Sequence, residues 1–178
     1  MPKRARSAAV FLLASPVLCG GVAALILTDH RLLAGVAALG AAISLIAGTV
    51  RARAKRERPA LFAELILDRV FDASILAPLA WVWRAQSARV ALLAVVCLAA
   101  SYVASYERAR GRSLGYPGNE TVGYRVARAA ILVIGLLAGW VEAALWSFAV
   151  LAVAAASIRA WNVAREERHS PRTFGASP

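Results

Sequence analysis

Three acidic residues lie within one long apolar stretch of the chain, where ionisable side chains are costly unless they serve a function. Glu64, Asp68 and Asp72 are spaced four residues apart, so on an α-helix they form one acidic stripe. Neighbouring carboxylates repel one another, and a divalent cation such as Mg²⁺ or Mn²⁺ prefers their oxygen atoms. The spacing therefore predicts a metal site. The alternative is a structural cluster neutralised by Arg69, by loop arginines or by protonation.

Arginine side chains flank the acidic stripe in the sequence. They are Arg51, Arg53, Arg56 and Arg58 before it, and Arg108, Arg110, Arg125 and Arg128 after it. Guanidinium groups bind phosphate oxygens through paired hydrogen bonds, and a metal ion beside them would bridge further phosphate oxygens. Carboxylates and arginines together therefore predict a site for a phosphorylated substrate. Without the acidic stripe, the same arginines would be the ordinary positive charge of cytoplasmic loops.

The elements that must position these residues are six apolar blocks. Of the 178 residues, 60% are hydrophobic, well above the share in soluble domains. Blocks of this length match the thickness of a bilayer, in which helices satisfy every backbone polar group. The sequence therefore predicts an all-α integral membrane protein with six transmembrane helices. The blocks are Ala8–Leu27, Leu32–Val50, Ala60–Trp83, Val90–Tyr106, Val126–Val141 and Ala143–Ile158.

The basic residues predict the orientation of these helices. Three precede the first block, five lie between the second and third, four lie between the fourth and fifth with Arg128 just inside the fifth, and four follow the sixth. Only Arg31, Arg84 and Arg89 fall in the other connections. By the positive-inside rule both ends are cytoplasmic. We expect a basic amino-terminal segment at 1–7, a six-helix domain at 8–163 and a polar tail at 164–178. The first block is long for a signal peptide, so we expect no cleavage.

Composition also indicates the partners and the location. The net charge is +11, but the basic residues lie between apolar blocks, which favours membrane lipid over nucleic acid as a partner. Arginine outnumbers lysine by 19 to 2, a bias that predicts a GC-rich genome and a multi-pass protein of a bacterial cytoplasmic membrane. Small residues recur every four positions at Gly40, Ser44 and Gly48, and at Gly135 and Gly139. Such stripes favour close helix packing within the chain over a homodimer interface, which stays possible.

Three stretches of the chain resemble the CDP-alcohol phosphatidyltransferase family. The stretch L-D-R-V-F-D-A-S-I-L-A-P-L-A-W, from Leu67 to Trp81, resembles the end of the family motif D-x2-D-G-x2-A-R-x8-G-x3-D-x3-D and its continuation. The stretch S-Y-E-R-A-R-G-R-S-L-G-Y, from Ser105 to Tyr116, resembles the end of the family's fourth helix. The stretch Y-R-V-A-R, from Tyr124 to Arg128, resembles the start of its fifth helix.

The resemblance implies a six-helix membrane enzyme of phospholipid biosynthesis. Such an enzyme moves a phosphatidyl-type group from a CDP-linked lipid donor to an alcohol or phosphorylated alcohol and releases CMP. It further implies that Asp68 is a metal ligand or the base that deprotonates the alcohol, that Glu64 is a metal ligand and that Asp72 supports them. Arg125 and Arg128 match positions that hold an acceptor phosphate. Arg53, which matches the motif arginine, Arg108 and Arg110 complete the predicted substrate-binding set.

The chain also departs from the family motif. Aligning Ala52-Arg53 with A-R puts Leu45, Gly48 and Thr49 where the family has its first two aspartates and its glycine. Two registers are open for the last two aspartates, Glu64 with Asp68 or Asp68 with Asp72; we favour the first, because D-R-x-x-D commonly follows the final motif aspartate. Metal ligands act as a unit, so losing two of them should greatly slow catalysis. Two hypotheses follow: a divergent transferase, or a non-catalytic relative that serves as a membrane subunit or scaffold.

Overall fold

The part of the chain that the structure describes folds into six α-helices. The computed structural model describes residues 3–55, 58–114 and 122–169, and no strand occurs among them. The helices are α1 (Lys3–Leu27), α2 (Arg31–Lys55), α3 (Arg58–Trp83), α4 (Ala88–Ser113), α5 (Val122–Ala138) and α6 (Val141–His169). The prediction of an all-helical chain is confirmed. Three stretches are long and apolar enough to cross a membrane: Arg31–Val50, Ala88–Gly111 and Val141–Asn162.

Helix ends differ from the block ends because charged residues can extend a helix beyond its apolar part. Helix α4 continues to Ser113 and α6 to His169, so the first six residues of the predicted tail 164–178 are helical. The fifth block was predicted to end at Val141, but α5 already ends at Ala138. Gly139 follows with a φ of +73°, a left-handed conformation that glycine adopts without a steric penalty.

Helix α3 lies at the centre of the bundle. It packs against α1, α2 and α4, while α5 lies between α2 and α6, and α4 also contacts α6. The core contains small residues of α2, with Ala34, Ala38 and Ala41 fully buried, because small side chains let helix backbones approach closely. This order brings the middle of α3 close to α4 on one side and α5 on another.

The two stripes of small residues behave differently. A Cβ added at Gly135 would lie 2.3 Å from the Cβ of Ala144, so α5 and α6 cross where only glycine fits. The prediction of close helix packing within the chain is therefore confirmed at Gly135. At Gly40 and Gly48 an added Cβ would meet nothing within 4 Å. Among the described residues, the close packing predicted for the α2 stripe is therefore not found at these two glycines.

Candidate functional site

Four charged side chains from two helices form one buried group, which we call the charge cluster: Asp68, Arg69 and Asp72 of α3, and Arg128 of α5. Arg128 reaches both carboxylates, with Nη2 2.7 Å from Asp68 Oδ2 and Nε 3.2 Å from Asp72 Oδ1. Arg69 lies between the same two carboxylates. Its Nη2 donates a hydrogen bond to Asp68 Oδ2, and its Nη1 is 3.2 Å from Asp72 Oδ2.

Ser101 joins the charge cluster to α4. Its backbone carbonyl accepts a hydrogen bond of 2.6 Å from Arg69 Nη1, and its hydroxyl accepts another from the same nitrogen. That hydroxyl donates in turn to Asp72 Oδ2. Sequence analysis did not identify Ser101 as a site residue. The feature that could have pointed to it is a hydroxyl side chain in an apolar helix, four residues before Ser105. Three helices, α3, α4 and α5, are therefore tied together by one polar network.

The charge cluster is deeply buried and balanced in charge. Asp72 has 0% and Arg128 2% of its surface exposed, and the Asp68 side chain has 13%. Two carboxylates face two guanidinium groups, so the formal charge of the four residues is zero. Removing charges from water is expensive, and pairing with good geometry offsets that cost. This pairing agrees with the alternative to a metal site, a structural cluster in which Arg69 neutralises the carboxylates. The structure adds Arg128 as a second partner.

In this arrangement the carboxylates of the charge cluster face arginine side chains. Asp68 Oδ2 and both oxygens of Asp72 are already in contact with arginine nitrogens or the Ser101 hydroxyl. In the described part of the chain, no group of three or more His, Cys, Asp or Glu side chains could hold a metal ion. The Glu64 side chain lies outside the described residues. The predicted Mg²⁺ or Mn²⁺ site at Glu64, Asp68 and Asp72 therefore stays a prediction.

A small cavity adjoins the charge cluster between α2, α3 and α5. Its walls include Asp68, Arg125 and Arg128, together with Leu45 and Thr49 of α2. Its volume is about 20 Å³, which is room for a water molecule rather than for a substrate. The structure thus brings together three of the predicted site residues, from segments 60 residues apart in the chain.

Arg125 belongs to the wall of this cavity. It is buried on α5, and its Nη1 lies 3.5 Å from the Thr49 hydroxyl. That hydroxyl donates to the carbonyl of Leu45 at 2.9 Å, which fixes its orientation. Leu45 and Thr49, two of the three positions aligned with the missing motif residues, therefore contact the same space as Asp68.

The other predicted substrate-binding arginines lie elsewhere. Arg108 is buried on α4, where its Nε donates to the carbonyl of Ala104 at 3.1 Å, and it lines a different cavity, between α3 and α4. Arg110 is exposed and lines neither cavity. The Arg53 side chain lies outside the described residues. Arg125 and Arg128 thus line one cavity, and Arg108 lines another on a different side of α3.

Comparison with known proteins gives no relative on which to base a function. No family model, no curated protein and no solved structure matches this chain.

Proposed function

We propose that the chain is a multi-pass membrane protein whose six helices all cross a bacterial cytoplasmic membrane, with both ends in the cytoplasm. The distribution of basic residues supports this orientation. Two tryptophans support the depth of α6 in the membrane: Trp140, just before the helix, and Trp161, near the end of its apolar part, are each 69% exposed. Over 21 residues a helix rises by about 30 Å, the thickness of the hydrocarbon core. Tryptophan is enriched at both membrane interfaces.

Labelling of single cysteines tests this orientation. Cys19 and Cys97 are buried, so we expect little background from a membrane-impermeant maleimide. Gln86→Cys, in the exposed connection before α4, should react in intact cells, whereas Ser113→Cys, exposed at the end of α4, should react only after the membrane is opened. The reverse pattern, or reaction of both variants in intact cells, would contradict the proposed orientation.

Within this membrane fold, the proposed role is that of a non-catalytic relative of the CDP-alcohol phosphatidyltransferases, a membrane subunit or scaffold. The observation that carries this proposal is the charge cluster, in which arginines occupy the carboxylates that catalysis would need. A buried ion pair closed in this way fixes the register of the helices that it joins. The lack of aspartate at Leu45 and Gly48 points in the same direction, because a diphosphate donor needs the charge that those ligands would supply together with a metal.

The second candidate is a divergent transferase that moves a phosphatidyl-type group from a CDP-linked lipid to an alcohol and releases CMP. The meeting of Asp68, Arg125 and Arg128 at one cavity favours it. In this role the two arginines would hold a phosphate of the acceptor. Asp68 would take the proton of the attacking hydroxyl, which requires Arg128 to leave the Asp68 carboxylate first.

A CMP-release assay separates the two candidates. The purified protein is placed in vesicles with CDP-diacylglycerol and Mn²⁺, and with glycerol 3-phosphate or inositol phosphate as acceptor. We expect the wild type and Asp68→Asn to release CMP at the same background rate, because Asp68 is held by two arginines.

Arg125→Gln is the matched variant for this assay, because it alters the cavity but leaves the charge cluster intact. Size-exclusion chromatography shows whether each variant is folded. Release by the wild type that is lost in both folded variants would overturn the scaffold proposal and establish the transferase.

A further inference from the structure

A second, larger cavity lies between α3 and α4. Its volume is about 390 Å³, within the range of small-molecule sites. It shares no residue with the cavity beside Asp68. Side chains of a helix are about 100° apart, so Ile66 and Val70, which line the larger cavity, point about 160° away from Asp68. The cavity therefore lies on the opposite side of α3 from the cavity beside Asp68.

The walls of this cavity combine positive charge with hydroxyl groups. Arg69 and Arg108 are only 7% and 8% exposed, and both line it, together with Tyr102 and Ser105. Among the described residues, Arg69 Nε is buried and has no hydrogen-bond partner. Guanidinium groups and hydroxyls in one pocket suit a phosphate, which accepts several charge-assisted hydrogen bonds.

The surface around the cavity is apolar. Ile66 and Tyr102 have half of their surface exposed, and both are also part of its wall. A free phosphate would not need such neighbours, whereas an acyl chain would pack against them. The depth of Arg108 is consistent with a lipid headgroup. In the proposed orientation Arg108 lies near the cytoplasmic end of α4, where anionic lipid headgroups are concentrated.

We propose that the cavity between α3 and α4 binds the phosphate headgroup of an anionic phospholipid from the cytoplasmic leaflet. Arg69 and Arg108 face its phosphate, and Ile66 and Tyr102 lie beside its acyl chains. This site rests on the proposed membrane orientation but not on whether the protein is a scaffold or a transferase. A failed CMP-release assay leaves it unaffected.

Native mass spectrometry of the protein in detergent measures such binding directly. The probes are phosphatidylglycerol, phosphatidylcholine with the same acyl chains, and inorganic phosphate. We expect the wild type to retain one phosphatidylglycerol with an affinity about tenfold or more above that for phosphatidylcholine, because both lipids carry the same phosphate but the choline group brings a positive charge beside two guanidinium groups. Arg108→Gln should lose this preference. Arg110→Gln removes the same charge two residues away, from an exposed position, and should keep it.

Ser105→Leu keeps every charge and fills the cavity, so it provides the test if Arg108→Gln fails to fold. It should also lose the bound phosphatidylglycerol. Equal losses in Arg108→Gln and Arg110→Gln would show general surface attraction and overturn the site. Equal retention of the two lipids, or unchanged binding in folded Ser105→Leu, would also overturn it. Tight binding of inorganic phosphate alone would show an anion site that does not recognise lipid.

Discussion

Arg128→Gln should lower the free energy of unfolding by about 3–5 kcal/mol, the usual cost of removing one partner from a buried ion pair. Arg128 contacts both Asp68 and Asp72, and its loss leaves two buried carboxylates with only Arg69 between them. The charge cluster then carries a net charge of −1 in a region where Asp72 is fully inaccessible to solvent. Chemical denaturation in detergent, followed by tryptophan fluorescence, measures the change.

A second substitution should recover much of this loss. In Asp72→Asn/Arg128→Gln, one carboxylate again faces one guanidinium group. The free energy of unfolding of this double variant should therefore exceed the value predicted by adding the two single effects, by about 0.5–3 kcal/mol. Arg110→Gln, at an exposed position, controls for the general loss of a positive charge and should have little effect. Additive losses in the double variant would show that Arg128 does not stabilise the protein through Asp72.

Leu45→Asp/Gly48→Asp should give the protein a Mn²⁺ site that the wild type lacks. Leu45 lines the cavity beside Asp68, and a Cβ added at Gly48 meets nothing within 4 Å, so there is space for a carboxylate at that position. Two added carboxylates change the formal charge around the charge cluster from zero to −2, which a divalent cation balances. At a Mn²⁺ concentration of about 100 times Kd, the variant should be stabilised by about 2.7 kcal/mol.

Leu45→Asn/Gly48→Asn is the matched control, because it introduces side chains of the same size without charge. We expect neither this variant nor the wild type to be stabilised by Mn²⁺ in thermal unfolding. Stabilisation of the wild type to the same extent would show that its own carboxylates already bind the metal, which favours the transferase. A folded aspartate variant without a response would show that Leu45 and Gly48 do not correspond to metal-ligand positions.

The sequence was sufficient to predict the helices but not all of their ends. Each of the six apolar blocks lies largely in a helix, because a long run without charge has few other ways to satisfy its backbone. The end of the fifth helix was misplaced because Gly139 interrupts an apolar run that continues through Val141. The end of a helix at a glycine depends on backbone conformation, and a pattern of hydrophobic residues gives no information about it.

The candidate site could be predicted only as far as a single helix allows. The spacing of Asp68 and Asp72 puts them on the same side of α3, but their partner Arg128 lies 60 residues from Asp68 in the chain. The pairing depends on how α5 packs beside α3, and no local pattern encodes it. For the same reason the sequence could not tell that Arg108 and Arg125, both in basic segments of the same connection, line different cavities.

If all six helices cross the membrane as proposed, the two-residue connection between α5 and α6 determines how these two helices enter the bilayer. Helix α5 has 17 residues and spans about 26 Å, and it carries two buried arginines, so alone it is a poor candidate for insertion. Joined to the long apolar helix α6 through Gly139 and Trp140, it can enter only as one arm of a helical hairpin. We therefore expect Arg128 to reach Asp68 and Asp72 only when that hairpin packs into the bundle, so the charge cluster would form late in assembly, after the last two helices have inserted.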